Sequence, residues 1–232
     1  MMNMIRKNIE GMEGYVPGEQ PADTDFIKLN TNENPYPPSP RVREALAEEM
    51  ERLRLYPDPM AGRFRERVAE LNGVPVDNVL AGNGSDDLLT IIMRTFVGEG
   101  DLVVSPSPTY TLYKTLCEIQ EARYSTVSYR DDYSLNEDYI PVKAKVVFVS
   151  NPNSPSGTVI GEESLEKIAA RIHGVLVVDE AYVDFASKNC MGLIKKYKNV
   201  IILRSLSKSF SLAGLRVGYA LADKQIIENF IN

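Results

Sequence analysis

Residues 146–182 read VVFVSNPNSPSGTVIGEESLEKIAARIHGVLVVDEAY. Two runs of consecutive apolar, mostly β-branched residues, at 146–149 and 175–178, bracket a stretch at 163–172 whose apolar residues recur at helical spacing. A strand that is apolar at every position is buried on both faces, the pattern of a parallel sheet covered by helices. Strand, crossover and strand in this order predict an α/β layer with helices on both faces. Outward from that unit, short apolar runs at 79–81, 102–104, 200–203 and 218–221 predict further strands. Between them, Ser85-Asp86-Asp87 gives the acidic opening of a helix through Phe96, after a Gly82-Asn83-Gly84 turn. A second helix is predicted around Phe64, Val68 and Leu71, and a last one at 224–231. Near the start, Ser39 as N-cap and Pro40 in the first turn open a helix with Val42, Ala45, Leu46, Met50 and Leu53 on one face. The predicted fold is three-layer α/β with a mostly parallel sheet.

Composition narrows the function. The chain has 232 residues, enough for a substantial core, and 26 basic against 32 acidic side chains give a net charge of −6. An acidic balance without a Lys/Arg run argues against nucleic acid as a partner. No apolar run is long enough to span a bilayer, and the opening Met-Met-Asn-Met-Ile-Arg-Lys-Asn lacks an apolar signal core, so a cytoplasmic location is expected. Cys117 and Cys190 form no Cys-x-x-Cys and His173 is the single histidine, which leaves no ligand set for zinc.

In open α/β sheets ligands bind beyond the carboxyl ends of the strands. The strand ends here lead into a Gly-rich turn and helix start at 82–87, Ser-Pro-Ser-Pro-Thr-Tyr at 105–110, a turn at 150–157, Asp179-Glu180-Ala181-Tyr182, and Arg204-Ser205-Leu206-Ser207-Lys208. An acid at the end of a buried strand needs a partner. One reading is a structural ion pair of Asp179 with Lys208 or Arg216. The other is a cofactor that uses the groups separately, and pyridoxal phosphate (PLP) does so: a lysine amine binds its aldehyde while a carboxylate pairs with its ring nitrogen. The helix start at Gly84-Ser85-Asp86 offers backbone N–H groups for a phosphate. Ser205, Ser207 and Arg216 add hydroxyls and a guanidinium. Tyr110 would cover the ring and Tyr182 would donate to its phenolate oxygen.

These pieces resemble the fold-type I PLP-dependent aminotransferases. Ser205-Leu206-Ser207-Lys208 with 211–218 resembles their lysine motif, 179–185 their pyridinium-acid motif, and 151–157 their Asn-Pro-x-Asn-Pro-Thr-Gly turn. Within that class the histidinol-phosphate aminotransferase family is matched by 29–37, by Arg54-Leu55-Tyr56-Pro57-Asp58, by 82–87 and by Pro108-Thr109-Tyr110. The resemblance runs in register from about Tyr15 to Ala220. It implies an N-terminal arm at 1–40 and a large PLP-binding domain at 41–232. Lys208 would hold PLP and shuttle protons, with Asp179 and Tyr182 as its catalytic companions. Ser85, Asp86, Ser205, Ser207 and Arg216 would hold the phosphate, and Tyr110 would cover the ring. Tyr56 would reach the phosphate of a second copy, making a homodimer, and Tyr15 and Asn32 would close the substrate pocket. The implied reaction converts L-histidinol phosphate and 2-oxoglutarate to imidazole-acetol phosphate and L-glutamate, a step of histidine biosynthesis.

The resemblance has two departures. Ser154 stands where many relatives place an asparagine, so either its shorter hydroxyl or the neighbouring Asn153 is expected to substitute. The family's small C-terminal domain, with its substrate-binding arginines, has no counterpart before Asn232, so a PLP-binding fragment without turnover is the competing expectation. An aromatic-amino-acid aminotransferase or a PLP-dependent decarboxylase shares the same motifs. Ser205-x-x-Lys208 also fits the Ser-x-x-Lys of penicillin-binding enzymes, but that chemistry needs a Lys-Thr-Gly that the chain lacks. Neither nucleotide-binding glycine motif occurs.

Overall fold

The computed structural model describes residues 4–13, 18–19 and 27–231. The apolar runs become strands, and one further strand, β3, forms without such a run: β1 (Val79–Gly82), β2 (Leu102–Ser107), β3 (Arg123–Ser128), β4 (Val146–Ser150), β5 (Val175–Asp179), β6 (Val200–Ser205) and β7 (Gly218–Ala222). They form one sheet in the order β1-β7-β6-β5-β4-β2-β3. Neighbours from β6 through β3 run parallel, whereas β7 is antiparallel to both β6 and β1. The helices are α1 (Lys7–Glu10), α2 (Pro40–Met50), α3 (Gly62–Asn72), α4 (Ser85–Phe96), α5 (Leu112–Ile119), α6 (Glu162–Arg171), α7 (Met191–Lys196) and α8 (Lys224–Ile231). None among the described residues is long and apolar enough to cross a membrane.

Every residue of β4 and β5 is buried. Successive side chains of a strand point to opposite faces, so each strand feeds two cores. Val147 and Val149 with Leu176 and Val178 pack on one side against Leu165 and Ile168 of α6 and Leu193 of α7. Val146, Phe148, Val175 and Val177 pack on the other against Leu88, Leu89 and Ile92 of α4 and Leu116 of α5. The three layers expected from the sequence are these two cores with the sheet between them.

Some elements depart from the expectation. β3 has no apolar run: only Val127 is buried, because an edge strand has one neighbour and little cover. β2 continues past its apolar run through Pro106, which is tolerated because its last pair with β4 is Val104↔Val147, leaving the missing N–H no ladder to break there. Helix α2 forms as predicted, but the Ser39 side chain caps no backbone group and no residue of the helix is buried. Leu46 and Met50 are exposed, and Leu53 lies beyond the helix and is exposed as well. The sheet's faces are already occupied by α3, α6 and α7 on one side and α4, α5 and α8 on the other. Leu71 of α3 is likewise exposed, while Val68 and Ala69 carry that helix's packing.

Gly218 ties the sheet to the start of α4. It pairs with Gly82 of β1 and Ser205 of β6. A Cβ at Gly218 would lie 2.6 Å from the Gly84 carbonyl carbon and 2.6 Å from the Ser85 amide nitrogen, with the Arg204 carbonyl oxygen at 3.0 Å. Those neighbours are backbone and cannot rotate away. Gly218→Ala is therefore expected to destabilise the fold by about 1–3 kcal/mol, read as a lowered midpoint in urea unfolding; an unchanged midpoint would mean that β7 and α4 can separate freely.

Candidate active site

A cavity of about 880 Å³ opens at the carboxyl ends of the strands. All five segments that the sequence places after strands contribute to its lining. Ser85 and Asp86 come from the α4 start after β1, Tyr110 from the turn after β2, and Ser150 and Ser154 from the end of β4 and beyond. Asp179 and Tyr182 follow β5, and Ser205, Ser207 and Lys208 close β6. Arg216 enters just before β7, and Asn32 and Thr31 come over the top from the N-terminal segment. The sheet register creates this convergence, with Ser150 opposite Asp179 and Ser205 opposite Gly218.

Asp179 is 4% exposed and forms no ion pair with Lys208 or Arg216. Its partners are neutral. The Tyr113 hydroxyl donates to Oδ2 at 2.8 Å, and the Ala181 N–H donates to Oδ1 at 3.1 Å. Burial pushes the carboxyl up to about 6; these two hydrogen bonds oppose the rise, and the nearby carboxylates of Asp86 and Glu180 add to it. Among the described residues the structural ion pair is thus absent, and the acid stands at the cavity without a cation. Tyr113 is not foreseen by the sequence reading. It lies three residues after Tyr110, which precedes α5. The two rings meet edge to face at 5.6 Å, and Tyr113 stacks on Phe148 at 4.7 Å.

Lys208 is held by the arm. Its Nζ donates to the Thr31 carbonyl at 2.7 Å and lies 5.6 Å from the centre of the Tyr182 ring. Asn32 donates through Nδ2 to the Tyr182 hydroxyl at 3.0 Å, which leaves that hydroxyl its own proton to give. Asn34 Nδ2 donates to the Lys208 carbonyl at 3.0 Å. Thr31 and Asn34 fall in the 29–37 stretch, but their contacts with Lys208 are not readable from it, since both join segments far apart in the chain.

The other end of the cavity is built for an anion. No side chain caps α4, so its first N–H groups face the cavity mouth at the positive end of the helix dipole. Gly84, at φ 82°, is the residue before it, and a Cβ there would sit 2.5 Å from Nη2 of Arg216. Glycine thus keeps open the space between the guanidinium and the helix start. Arg216 Nη2 lies 3.4 Å from the Asp86 carboxylate, and the Ser205 hydroxyl donates to that of Ser207 at 2.9 Å. Two backbone donors, a guanidinium and two hydroxyls around an open notch fit a phosphate, and a lysine with a cation-free acid fits the remainder of a PLP-sized group.

Three candidates lie elsewhere. The Asn153 amide does not line this cavity: Nδ2 donates to the Pro108 carbonyl at 3.2 Å and to the Ser156 hydroxyl at 2.8 Å, and the residue borders a smaller neighbouring cavity of about 270 Å³. Ser154 lines both cavities, whereas Asn153 lines only the smaller one. Tyr56 is fully exposed and away from the cavity of its own chain. Tyr15 lies outside the described residues.

The raised carboxyl of Asp179 makes stability depend on pH with a definite sign. In the unfolded chain this acid ionises near 3.8 and in the fold near 6, so between those values the native state binds the extra proton and stability falls as pH rises. Asp179→Asn, which cannot ionise, should be more stable than the parent by on the order of 2–3 kcal/mol at pH 8. That advantage should vanish by pH 4 in urea titrations. An advantage independent of pH would show that Asp179 carries no burial penalty for its charge.

The profile of the family described as "Aminotransferase class I and II" matches residues 24–232. A histidinol-phosphate aminotransferase of Rippkaea orientalis is 46% identical over 224 residues, covering 97% of this chain and 64% of the relative. One from Geotalea uraniireducens is 47% identical over 225 residues, covering 96% of this chain and 65% of the relative. Among solved structures, a histidinol-phosphate aminotransferase from Sinorhizobium meliloti in complex with pyridoxal-5'-phosphate superposes with a TM-score of 0.87 at 26% identity, over 100% of this chain and 66% of that one. The chain thus spans just under two thirds of the length of the curated relatives it matches. By profile, identity and superposition together, it belongs to the class I and II aminotransferase family.

Proposed function

We propose that this chain forms the PLP site of an aminotransferase that exchanges the amino group of L-histidinol phosphate with 2-oxoglutarate, a cytoplasmic step of histidine biosynthesis. The observation that carries the reading is the single cavity holding Lys208, a cation-free Asp179 and an uncapped helix start beside Arg216. The substrate is supported by the relatives, which are named for it at 46–47% identity.

PLP, when bound, supplies an electron sink for the pair released as an amine substrate loses its α-proton. The chain supplies the rest. The Lys208 amine would hold the cofactor and, once an incoming substrate amine has displaced it, would take and return the proton at the substrate α-carbon. Asp179 accepts a charge-assisted hydrogen bond from the ring nitrogen and so favours its protonated form. Tyr182 donates its free proton to the phenolate oxygen, with the Ser154 hydroxyl beside it. Tyr110 covers the ring. The Ser85 and Asp86 amides, Ser205, Ser207 and Arg216 would hold the phosphate. Asn32 closes the pocket from the N-terminal segment.

The same reading makes the working unit a homodimer. Met50, Leu53, Leu55 and Tyr56 are exposed apolar residues close together in the sequence, a surface that a second copy would cover, with Tyr56 reaching the neighbour's phosphate site.

Treatment with PLP and then borohydride tests the site directly. Peptide mapping should find the reduced cofactor on Lys208, and L-histidinol phosphate should shift the visible absorption band. Lys208→Ala should lose the adduct and at least about 10³-fold of amine exchange. An adduct on another lysine, or exchange surviving in the variant, would end the mechanism. The dimer is tested by Met50→Glu with Leu53→Glu, which should halve the mass measured by light scattering. An unchanged mass would assign the assembly to another surface.

A further inference from the structure

We propose that Tyr113 is the positioning residue for Asp179: its buried hydroxyl clamps the carboxylate in place and keeps it an acceptor for the ring nitrogen in the reaction proposed above, on which this inference rests. The geometry is specific. Tyr113 is fully buried on α5, its hydroxyl donates to Oδ2 of Asp179 at 2.8 Å, and the Ala181 N–H takes Oδ1 at 3.1 Å. With one donor on each oxygen the carboxylate cannot rotate about its last bond. The phenol itself is fixed by its stack on Phe148, at 4.7 Å and 8° between planes, and by the edge of Tyr110 at 5.6 Å. One residue therefore sets the acid beneath the proposed ring position and braces the tyrosine assigned to cover it.

The need for such a residue follows from the charges around Asp179. Asp86 from α4 and Glu180 from the adjoining position both disfavour a second negative charge. Glu180 already has Arg204 as its own cation, at 2.7 Å. Lys208 and Arg216 line the same cavity, but their nitrogens are directed to Thr31 and to Asp86. Tyr113 is thus the only side-chain donor to Asp179 among the described residues. A phenol is suited to the task because it has a proton to give and keeps it: burial and the facing carboxylate hold Tyr113 well above the usual phenol range. A neutral donor also leaves the full negative charge of Asp179 for the ring nitrogen, whereas a lysine or arginine would compete with it.

The test is a ¹³C-carboxyl NMR titration of Asp179 in the cofactor-free protein, assigned by the signal lost in Asp179→Asn. Tyr113→Phe keeps the stack on Phe148 and removes only the hydroxyl. It should move the Asp179 midpoint upward by about one pH unit. In the loaded enzyme it should lower kcat more than it changes KM. A Tyr113→Phe titration that coincides with the parent's would reduce Tyr113 to packing and overturn the proposal. If that variant loses its cooperative melt, the unaltered protein decides: a solvent-protected Tyr113 hydroxyl proton that shifts through the Asp179 titration supports the clamp, and a hydroxyl in free exchange with water overturns it. Because the titration needs no cofactor, its failure is distinct from a failure of borohydride to fix PLP on Lys208.

Discussion

Burial of the central strands on both faces is the constraint on which the rest of the structure depends. In β4, β5 and β6 the apolar side chains feed two cores with almost no exposure, so a polar group in mid-strand would face the cost of desolvation without a partner. Polar residues are thereby confined to the strand ends. The parallel register then lines those ends up: Ser150 beside Asp179, and Asp179 beside Leu203, two residues before Ser205. The antiparallel β7 adds its beginning to the same edge, bringing Gly218 beside Ser205 and placing Arg216 within reach of the α4 start. A site of mixed chemistry is the consequence of where the cores stop.

The neighbouring acids Asp179 and Glu180 show how the same fold produces opposite electrostatic outcomes one residue apart. Both are nearly inaccessible to water. Glu180 receives Nε and Nη2 of Arg204 at 2.8 and 2.7 Å, and Arg204 is anchored in turn by Asn72 at 2.8 Å. That is a buried ion pair, whose role is to hold β5, β6 and α3 together. Asp179 has two neutral donors in place of a cation, and its carboxyl is pushed up to about 6. A buried acid with unspent charge at the mouth of a cavity is unfavourable for folding alone, and a cationic ligand would relieve it.

Much of this is readable from the chain, for identifiable reasons. The two-sided strands announce themselves because burial on both faces demands an uninterrupted apolar run, and the start of α4 because Gly-x-Gly-Ser-Asp-Asp has the residues a turn and a helix opening need. β3 is not legible, because an edge strand with one buried residue has no such demand placed on it. Nor is the fate of α2, whose apolar spacing matches that of a core helix but whose face meets solvent here. Spacing specifies which residues share a side and is silent on what lies opposite. In the site, residues directly after strands are found by position. Tyr113 and Thr31 escape such a reading because their roles are contacts across 66 and 177 positions of sequence, made by a helix interior and by a backbone carbonyl.

That division corresponds to a physical difference between the cavity's floor and its roof. The floor consists of strand ends and a helix start, cross-linked by ladder hydrogen bonds and closed by packing at Gly218. The roof is the segment around residues 31–34, attached through a few polar contacts: Thr31 to Lys208, Asn32 to Tyr182, and Asn34 to the Lys208 backbone. Asn32 adopts φ 52°, a left-handed conformation that asparagine tolerates better than most residues. Two of those contacts end on Lys208 Nζ and the Tyr182 hydroxyl, the groups assigned to the reactive end of the cofactor. In the proposed reaction the Lys208 contact would be the one to yield, while the contact to Tyr182 could persist because it uses a lone pair and not the proton. A rigid floor fixes the geometry of the acid and the phosphate, and a roof held by exchangeable hydrogen bonds can give up its grip on the lysine without disturbing either.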